Sequence, residues 1–290
     1  MKYFEGKNIL ISGGSTGLGF ELVKYFLSKG ANVAVCARNK KRLSIAISDI
    51  LKNRLKNQKI FLYKVDVSQE RDVKRMYNSI SKKMKSIDVL ISNAGVYGPK
   101  GSFEKISWSE WKEAFNINFF GSAYLIKNFI KLLKKNKNSK IIQLSGGGAT
   151  SPMPNLSSYA ASKAAIVRFS ETISQEISKY NIDYNCVAPG ALNTKMLDEI
   201  IKAGPKKVGS DYYKKSLIQK KTGGNSLENA IKLISFLASK KSRNITGKLI
   251  SAQWDNWNKF KKNLKKIKNS DVFTIRRIVG RERNLKILDK

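Results

Sequence analysis

In the stretch SSYAASKAAIVRF, residues 157 to 169, Tyr159 and Lys163 stand four positions apart. On a helix, positions i and i+4 share a face, so the phenol and the ammonium point the same way. The pairing matters because the 290-residue chain contains no histidine, the commonest acid/base group. An unperturbed tyrosine titrates near pH 10, and a neighbouring ammonium together with the positive ring of a nicotinamide favours the phenolate; lowering it by about three units corresponds to about 4 kcal/mol. Tyr159 then reads as a general acid/base and Lys163 as the group that tunes it and holds ribose hydroxyls of a nucleotide. The same spacing also falls by chance on many helices, so the reading depends on what accompanies it.

Other reactive side chains recur at corresponding places. Ser145 closes an apolar run (IIQLSGGGA) and brings a hydroxyl suited to a substrate carbonyl oxygen on which charge develops. Asn118 (FNINFFG) can hold a water linking the lysine to solvent, or can serve a structural partner. Gly13, Gly17 and Gly19 (LISGGSTGLGFEL) follow the first apolar run, where glycine permits a tight turn and backbone N–H groups approach a pyrophosphate. Where a carboxylate would select NAD(H) at the second run's end (VAVCARNKKRL), Arg38 stands instead, a planar cation suited to a 2′-phosphate or simply a surface arginine. NADP(H) is therefore favoured, with NAD(H) as the alternative. Asp66 (KVDVSQ) reads as an acceptor for an adenine amino group or as a cap for the following helix. Asn93, Ala94 and Gly95 form a small-residue turn for ribose, and Pro189, Gly190 and Thr194 (APGALNT) form a turn beside the nicotinamide.

These residues need elements that bring them to one edge. Apolar strand-like runs alternate with helix-length periods, the pattern of consecutive βαβ units. Strands are expected over Asn8 to Ser12, Asn32 to Ala37, Ile60 to Val65, Val89 to Ser92, Lys140 to Ser145, Asp183 to Ala188 and Leu249 to Ser251. Helices are expected over 17–29, 40–57, 69–85, 107–135, 158–180 and 226–238. The fold class is α/β: a Rossmann-type, doubly wound, seven-stranded parallel sheet with helices on both faces, whose strand carboxyl ends line the ligand edge.

Residues 1–251 read as one domain. Within it, 192–224 has the glycine-interrupted composition of a lid, and 252–290 is a basic extension whose tryptophans suggest docking on the domain or a partner subunit. The formal charge of +35 is dispersed in lysine pairs along the chain, which favours a solvated surface over a nucleic-acid partner. Cys36 and Cys186 lie in apolar runs without metal or redox spacing, so no metal is expected. No run of about 18 apolar residues offers a membrane span, and the chain enters a strand at once, giving the expectation of a cytoplasmic protein.

Taken in order, Gly13-x-x-x-Gly17-x-Gly19, Asn93-Ala94-Gly95, Asn118, Ser145, Tyr159-x-x-x-Lys163 and Pro189-Gly190 resemble the short-chain dehydrogenase/reductases over residues 5 to 251. The resemblance implies an oxidoreductase interconverting a secondary alcohol and a ketone on a small-molecule substrate. It implies Tyr159 as acid/base, Lys163 as its partner and ribose ligand, Ser145 as carbonyl orienter and Asn118 as relay anchor. It also places Ser15, Leu18 and Val67 among the cofactor contacts, and implies a homodimer or homotetramer through the helices at 107–135 and 158–180. Ser12 and Ser92 depart from the family's usual Thr and Asn, and no Asp-Gly-Gly follows the last strand. GGGATSPMPN and the tail's WDNW look like a subgroup linked to bacterial surface-polysaccharide biosynthesis, which implies a sugar-derived substrate. The competing readings are a nucleotide- or nucleic-acid-binding regulator on the same fold, and a dehydratase or epimerase.

Overall fold

The computed structural model describes residues 3–52 and 57–284. Seven parallel strands form one sheet in the order β3-β2-β1-β4-β5-β6-β7: β1 Asn8–Ser12, β2 Asn32–Ala37, β3 Ile60–Lys64, β4 Val89–Ser92, β5 Ser139–Leu144, β6 Ile182–Ala188 and β7 Leu249–Ser251. Every expected strand forms, with bounds within one residue. The order reverses between β1 and β4, the point at which carboxyl-end loops diverge and leave a crevice.

Helices α1 Gly17–Ser28, α2 Lys40–Lys52 and α10 Leu227–Ala238 cover one face, and α3 Glu70–Met84, α5 Gly121–Leu133 and α6 Ser157–Ile177 the other. Alternation along β1 shows how the strands serve both layers: Ile9 and Ile11 enter the first core and Leu10 the second, all fully buried. The last expected residues of the second helix include 53–56, which lie outside the described residues.

The single helix expected over 107–135 is three pieces. α4 Trp108–Phe115 runs into a π turn at Asn116–Phe120, closed by the Gly121 N–H donating to the Asn116 carbonyl, before α5 begins. One residue inserted this way shifts the helix face without breaking the chain's direction, and side-chain periodicity does not reveal it. The lid stretch holds α7 Lys195–Ala203, α8 Pro205–Val208 and α9 Ser210–Thr222.

Beyond β7 the chain turns back across the sheet's edge. The Leu249 N–H donates to the Phe273 carbonyl at 2.7 Å, and buried Lys248 Nζ donates to the carbonyls of Ser270 (2.7 Å) and Val272 (3.0 Å). Phe260 and Ile267, the latter in α11 Leu264–Lys268, are buried in the first core. The tail then reaches α6: the Ile275 N–H donates to Glu171 Oε1 at 2.7 Å, and Arg168 donates to the Ile275 carbonyl. Edge strand β7 is thereby covered.

Candidate active site

The glycine turn follows β1 directly. Gly13 and Gly17 have φ of 70° and 55°, the left-handed region that favours glycine. A Cβ on Gly19 would lie 2.2 Å from the Gly13 carbonyl oxygen, and one on Gly14 2.2 Å from Val35 Cγ2, so the helix packs on the turn only without side chains there. Gly14 was not singled out in the sequence, because its constraint comes from β2. Thr16, at the N-cap of α1, makes no side-chain capping bond, and no acidic residue stands in the first turn. The helix's amino end thus carries no anion of its own, which fits a pyrophosphate.

Ser12, the departure from threonine, staples this turn to the β4 loop. Its Oγ accepts the N–H groups of Asn93 (3.0 Å) and Ala94 (3.1 Å), while Asn93 Nδ2 donates to the carbonyls of Ser12 and Gly13. Ser92 pairs with Ser122 at 3.1 Å inside the core. Arg38 is exposed at the end of β2, and Asn39 accepts the Arg42 N–H to open α2. Asp66 Oδ1 accepts from Ser68 N (3.0 Å) and Ser68 Oγ (2.7 Å), so the carboxylate shapes the turn before α3. Val67 packs under Gly121, Leu18 points its side chain into the core, and Ser15 lies partly buried at the turn.

At the other end, Tyr159 and Lys163 lie on the same side of α6, with Nζ 5.6 Å from the phenol's ring centre. Nζ donates to the Leu144 carbonyl at 2.8 Å. A Cβ on Gly146 would fall 2.4 Å from the Tyr159 hydroxyl, which places that hydroxyl over the residue following Ser145. Ser145 Oγ is buried without a hydrogen-bond partner. A buried hydroxyl in that condition is costly unless a ligand completes it. Above Gly95, a Cβ would sit 3.2 Å from Asn118 Oδ1 and 3.6 Å from Lys163 Nζ, marking a small cradle flanked by both.

Asn118 and the Tyr159–Lys163 pair each have surroundings that spacing does not reveal. Asn118 lies in the π turn, and its amide clamps Val96: Oδ1 accepts the Val96 N–H at 2.8 Å, while Nδ2 donates to the Val96 carbonyl (2.9 Å) and Ser162 Oγ (2.9 Å). Its side chain therefore fixes the β4 loop, the structural role that stood beside the water-holding one, while Oδ1 keeps a second lone pair. The expected acidification of the phenol draws on a nicotinamide ring as well as on the ammonium, and the protein's own contribution runs the other way. Burial pushes the Tyr159 phenol above its usual value, with Tyr212 adding to the rise, and burial pushes the Lys163 ammonium down to about 8. Desolvation dominates both shifts: Tyr159 packs in one apolar cluster with lid side chains, and Lys163 is buried beneath it.

The turn at Pro189 to Ala191 is braced by residues that no motif singles out. Gly190 has φ of 94°, and a Cβ there would meet Gln253 Cγ at 2.6 Å and Asn225 Oδ1 at 2.9 Å. Asn225 Oδ1 accepts the Ala191 N–H at 2.7 Å, and Gln253 Nε2 donates to the Pro189 carbonyl at 3.2 Å. Gln253 stands where the usual glycine pair is missing. Thr194 crosses the crevice, its Cγ2 3.3 Å from the Cβ position of Gly17. Among the described residues no cluster of metal-ligating side chains occurs, and no helix is long and apolar enough to cross a membrane.

Comparison with known proteins decides the family. The family model described as short chain dehydrogenase matches residues 7–204. The chain belongs to the short-chain dehydrogenase family. Its members are oxidoreductases that interconvert CH–OH and carbonyl groups, and the NAD(P)-binding sheet described above is theirs. A 3-oxoacyl-acyl-carrier-protein reductase of Chlamydia trachomatis is 31% identical over 248 residues, covering 84% of this chain and 95% of that protein. An uncharacterized oxidoreductase of Schizosaccharomyces pombe is 35% identical over 189 residues, 64% of this chain and 61% of the relative, so the match spans about three fifths of that relative's length. Among solved structures, levodione reductase superposes with a TM-score of 0.77 at 20% identity, covering 88% of this chain and 98% of that one. YwfH, titled an NADPH-dependent reductase of bacilysin biosynthesis, gives 0.76 at 24% identity, covering 86% and 97%. These structural likenesses establish the short-chain dehydrogenase fold.

Proposed function

We propose that this short-chain dehydrogenase is an NADP(H)-dependent oxidoreductase that interconverts a secondary alcohol and a ketone. The observation that carries the reading is the buried, unpartnered Ser145 Oγ beside the residue over which the Tyr159 hydroxyl lies, with Lys163 Nζ behind. The bound nicotinamide supplies or accepts the hydride. Ser145 Oγ donates to the carbonyl oxygen, Tyr159 passes its hydroxyl proton to that oxygen as charge develops, and Lys163 favours the resulting phenolate. Lys163 Nζ has three donors and spends one on the Leu144 carbonyl, leaving others for ribose hydroxyls. Asn118 holds Val96 through its amide and anchors the proton relay that runs to Lys163. Gly13, Ser15, Gly17, Leu18 and Gly19 would hold the pyrophosphate through backbone, Asp66 and Val67 the adenine, Asn93 to Gly95 the adenosine ribose, and Pro189, Gly190 and Thr194 the nicotinamide.

Arg38 supports NADP(H): it stands exposed where a carboxylate would repel the 2′-phosphate, and none occurs from Ala37 to Lys40. Residues 1–251 read as the catalytic domain, 192–224 as its lid and 252–290 as a docked extension. The sugar-derived substrate implied by the polysaccharide-cluster resemblance rests on sequence stretches alone.

Two variants test the reading. Tyr159→Phe should lower turnover at least 100-fold, within the range for a lost acid/base group, while NADPH binding followed by fluorescence stays within about twofold. Activity within tenfold of the parent overturns the assignment. Arg38→Asp should weaken NADPH at least tenfold and spare NADH; an equal loss for both removes the phosphate role.

A further inference from the structure

The wall above the catalytic phenol is made by three separate parts of the chain, and their chemistry is uniform. The β4 loop contributes Tyr97, whose ring lies 4.7 Å from the Tyr159 ring at 57°. The segment before α6 contributes Met153 and Leu156, and the lid contributes Met196, Ile200, Val208, Tyr212 and Tyr213 to the same apolar cluster. The polar groups at this wall are three phenol hydroxyls at the ends of apolar rings and one lysine. Burial and the neighbouring Tyr212 push the Tyr97 phenol above its usual value, so it stays neutral. Lys100 Nζ lies 3.4 Å from Glu199 Oε2 on the lid and donates to the Gly98 carbonyl at 3.0 Å, so its charge is neutralised in place. Against this background Ser145 Oγ and the Tyr159 hydroxyl are the polar atoms aimed at the reacting centre.

From this wall we infer that the enzyme's substrate is a ketone or secondary alcohol carried on an uncharged apolar body, a ring system or branched chain, and that Tyr97 determines that specificity. The inference rests on the oxidoreductase reading of the same site and goes past it to the class of molecule. In the closed arrangement, lid side chains cover the phenol. A substrate that enters takes their place, and an apolar body exchanges apolar contact for apolar contact. A polyol would bring many hydroxyls to a wall that is mostly apolar side chain, and a carboxylate would meet a lysine already bound to Glu199. Both methionines add a deformable surface that accommodates varied apolar shapes. Tyr97 is the residue to test, because it stands outside the lid, next to Val96, whose backbone Asn118 clamps.

The experiment uses the full chain with saturating NADPH and follows absorbance at 340 nm with 2-tetralone, D-fructose and pyruvate. 2-Tetralone should give a kcat/KM at least 100-fold above the other two. Fructose or pyruvate turned over equally well or better overturns the inference. In parallel, binding of 2-tetralol to the enzyme with NADPH, a pair that cannot react, is read by cofactor fluorescence against sorbitol. 2-Tetralol should bind at least tenfold more tightly than sorbitol. Tyr97→Ala should weaken it at least tenfold with the NADPH Kd unchanged, and Tyr97→Phe, which keeps the ring, should stay within threefold of the parent. Sorbitol binding as well as 2-tetralol, or Tyr97→Ala leaving 2-tetralol unaffected, overturns the inference. Selective 2-tetralol binding with no turnover of any ketone upholds the pocket assignment and removes the oxidoreductase reading instead.

Discussion

At the residue scale the site is governed by desolvation. The Tyr159 and Lys163 pair was legible from spacing, and so was Ser145, because each sits at a fixed step from an element end. What the spacing could not give was the environment. Burial raises the Tyr159 phenol, which packs against lid side chains, and pushes the Lys163 ammonium from 10.5 down to about 8. That shift has a consequence for stability. The folded pKa lies below the unfolded one, so between about pH 8 and 10.5 the unfolded chain binds the extra proton, and stability rises with pH across that window. At neutral pH the cost of burying the charge is fully present; above the unfolded pKa it is gone. Lys163→Met removes the titration. The melting temperature of the parent minus that of Lys163→Met should therefore climb by at least about 3 °C between pH 7 and pH 10, at about 2–4 °C per kcal/mol for a chain of this size. A flat difference in scanning calorimetry shows that Lys163 is not desolvated in the free enzyme.

At the element scale the sheet and most helix bounds followed from alternation and period, while the π turn and the bracing of Gly190 did not. The π turn adds one residue inside a continuous apolar pattern, and Asn225 and Gln253 reach Pro189 to Ala191 from parts of the chain far away in sequence. Neither leaves a local mark. The start of α5 carries a constraint of the same hidden kind. A Cβ on Gly121 would lie 2.9 Å from both Cγ2 and the carbonyl oxygen of Val67, too close for either neighbour to accept without moving backbone. Alanine's helical preference would favour Gly121→Ala by up to about 1 kcal/mol, but overpacking costs about 1–3 kcal/mol, so the clash wins. Gly121→Ala should lower stability in urea by about 1 kcal/mol or more and weaken NADPH through the displaced Val67. Gly147→Ala, which meets nothing within 4 Å, should be near neutral in the same titration and serves as its control. Equal midpoints for the two variants would mean that α5 does not press on the β3 loop.

At the scale of the whole molecule, the charge of +35 and the tail are the features with least local explanation, and they separate on inspection. The tail is a structural cover for β7, using Phe260, Ile267 and main-chain bonds, and its lysines face water around that core. A different surface remains uncovered. On the outer side of α5 and α6 a groove of about 620 Å³ is lined by Phe120, Tyr124, Ile130, Phe169 and Ile173, remote from Tyr159. Phe120 is 56% exposed and Trp108, on the same side at α4, 57%. Aromatic contacts run from Trp108 through Trp111 and Phe115 to Phe120. Isolated apolar side chains on a surface are ordinary, but a continuous aromatic row leading into an apolar groove is the kind of patch that partners cover. The expected subunit contact through these helices fits that surface, since a two-fold axis would set the row of one copy against the groove of the other. Phe120→Asp should then convert an assembly of two or more 32.6 kDa chains into monomers in light scattering, with little change in melting temperature at monomer concentrations, because the side chain contributes little to its own subunit's core. A parent that is already monomeric at about 50 µM, or a variant that keeps the parent's mass, places the subunit contact elsewhere or removes it, since an interface centred on a buried aromatic does not survive a carboxylate there.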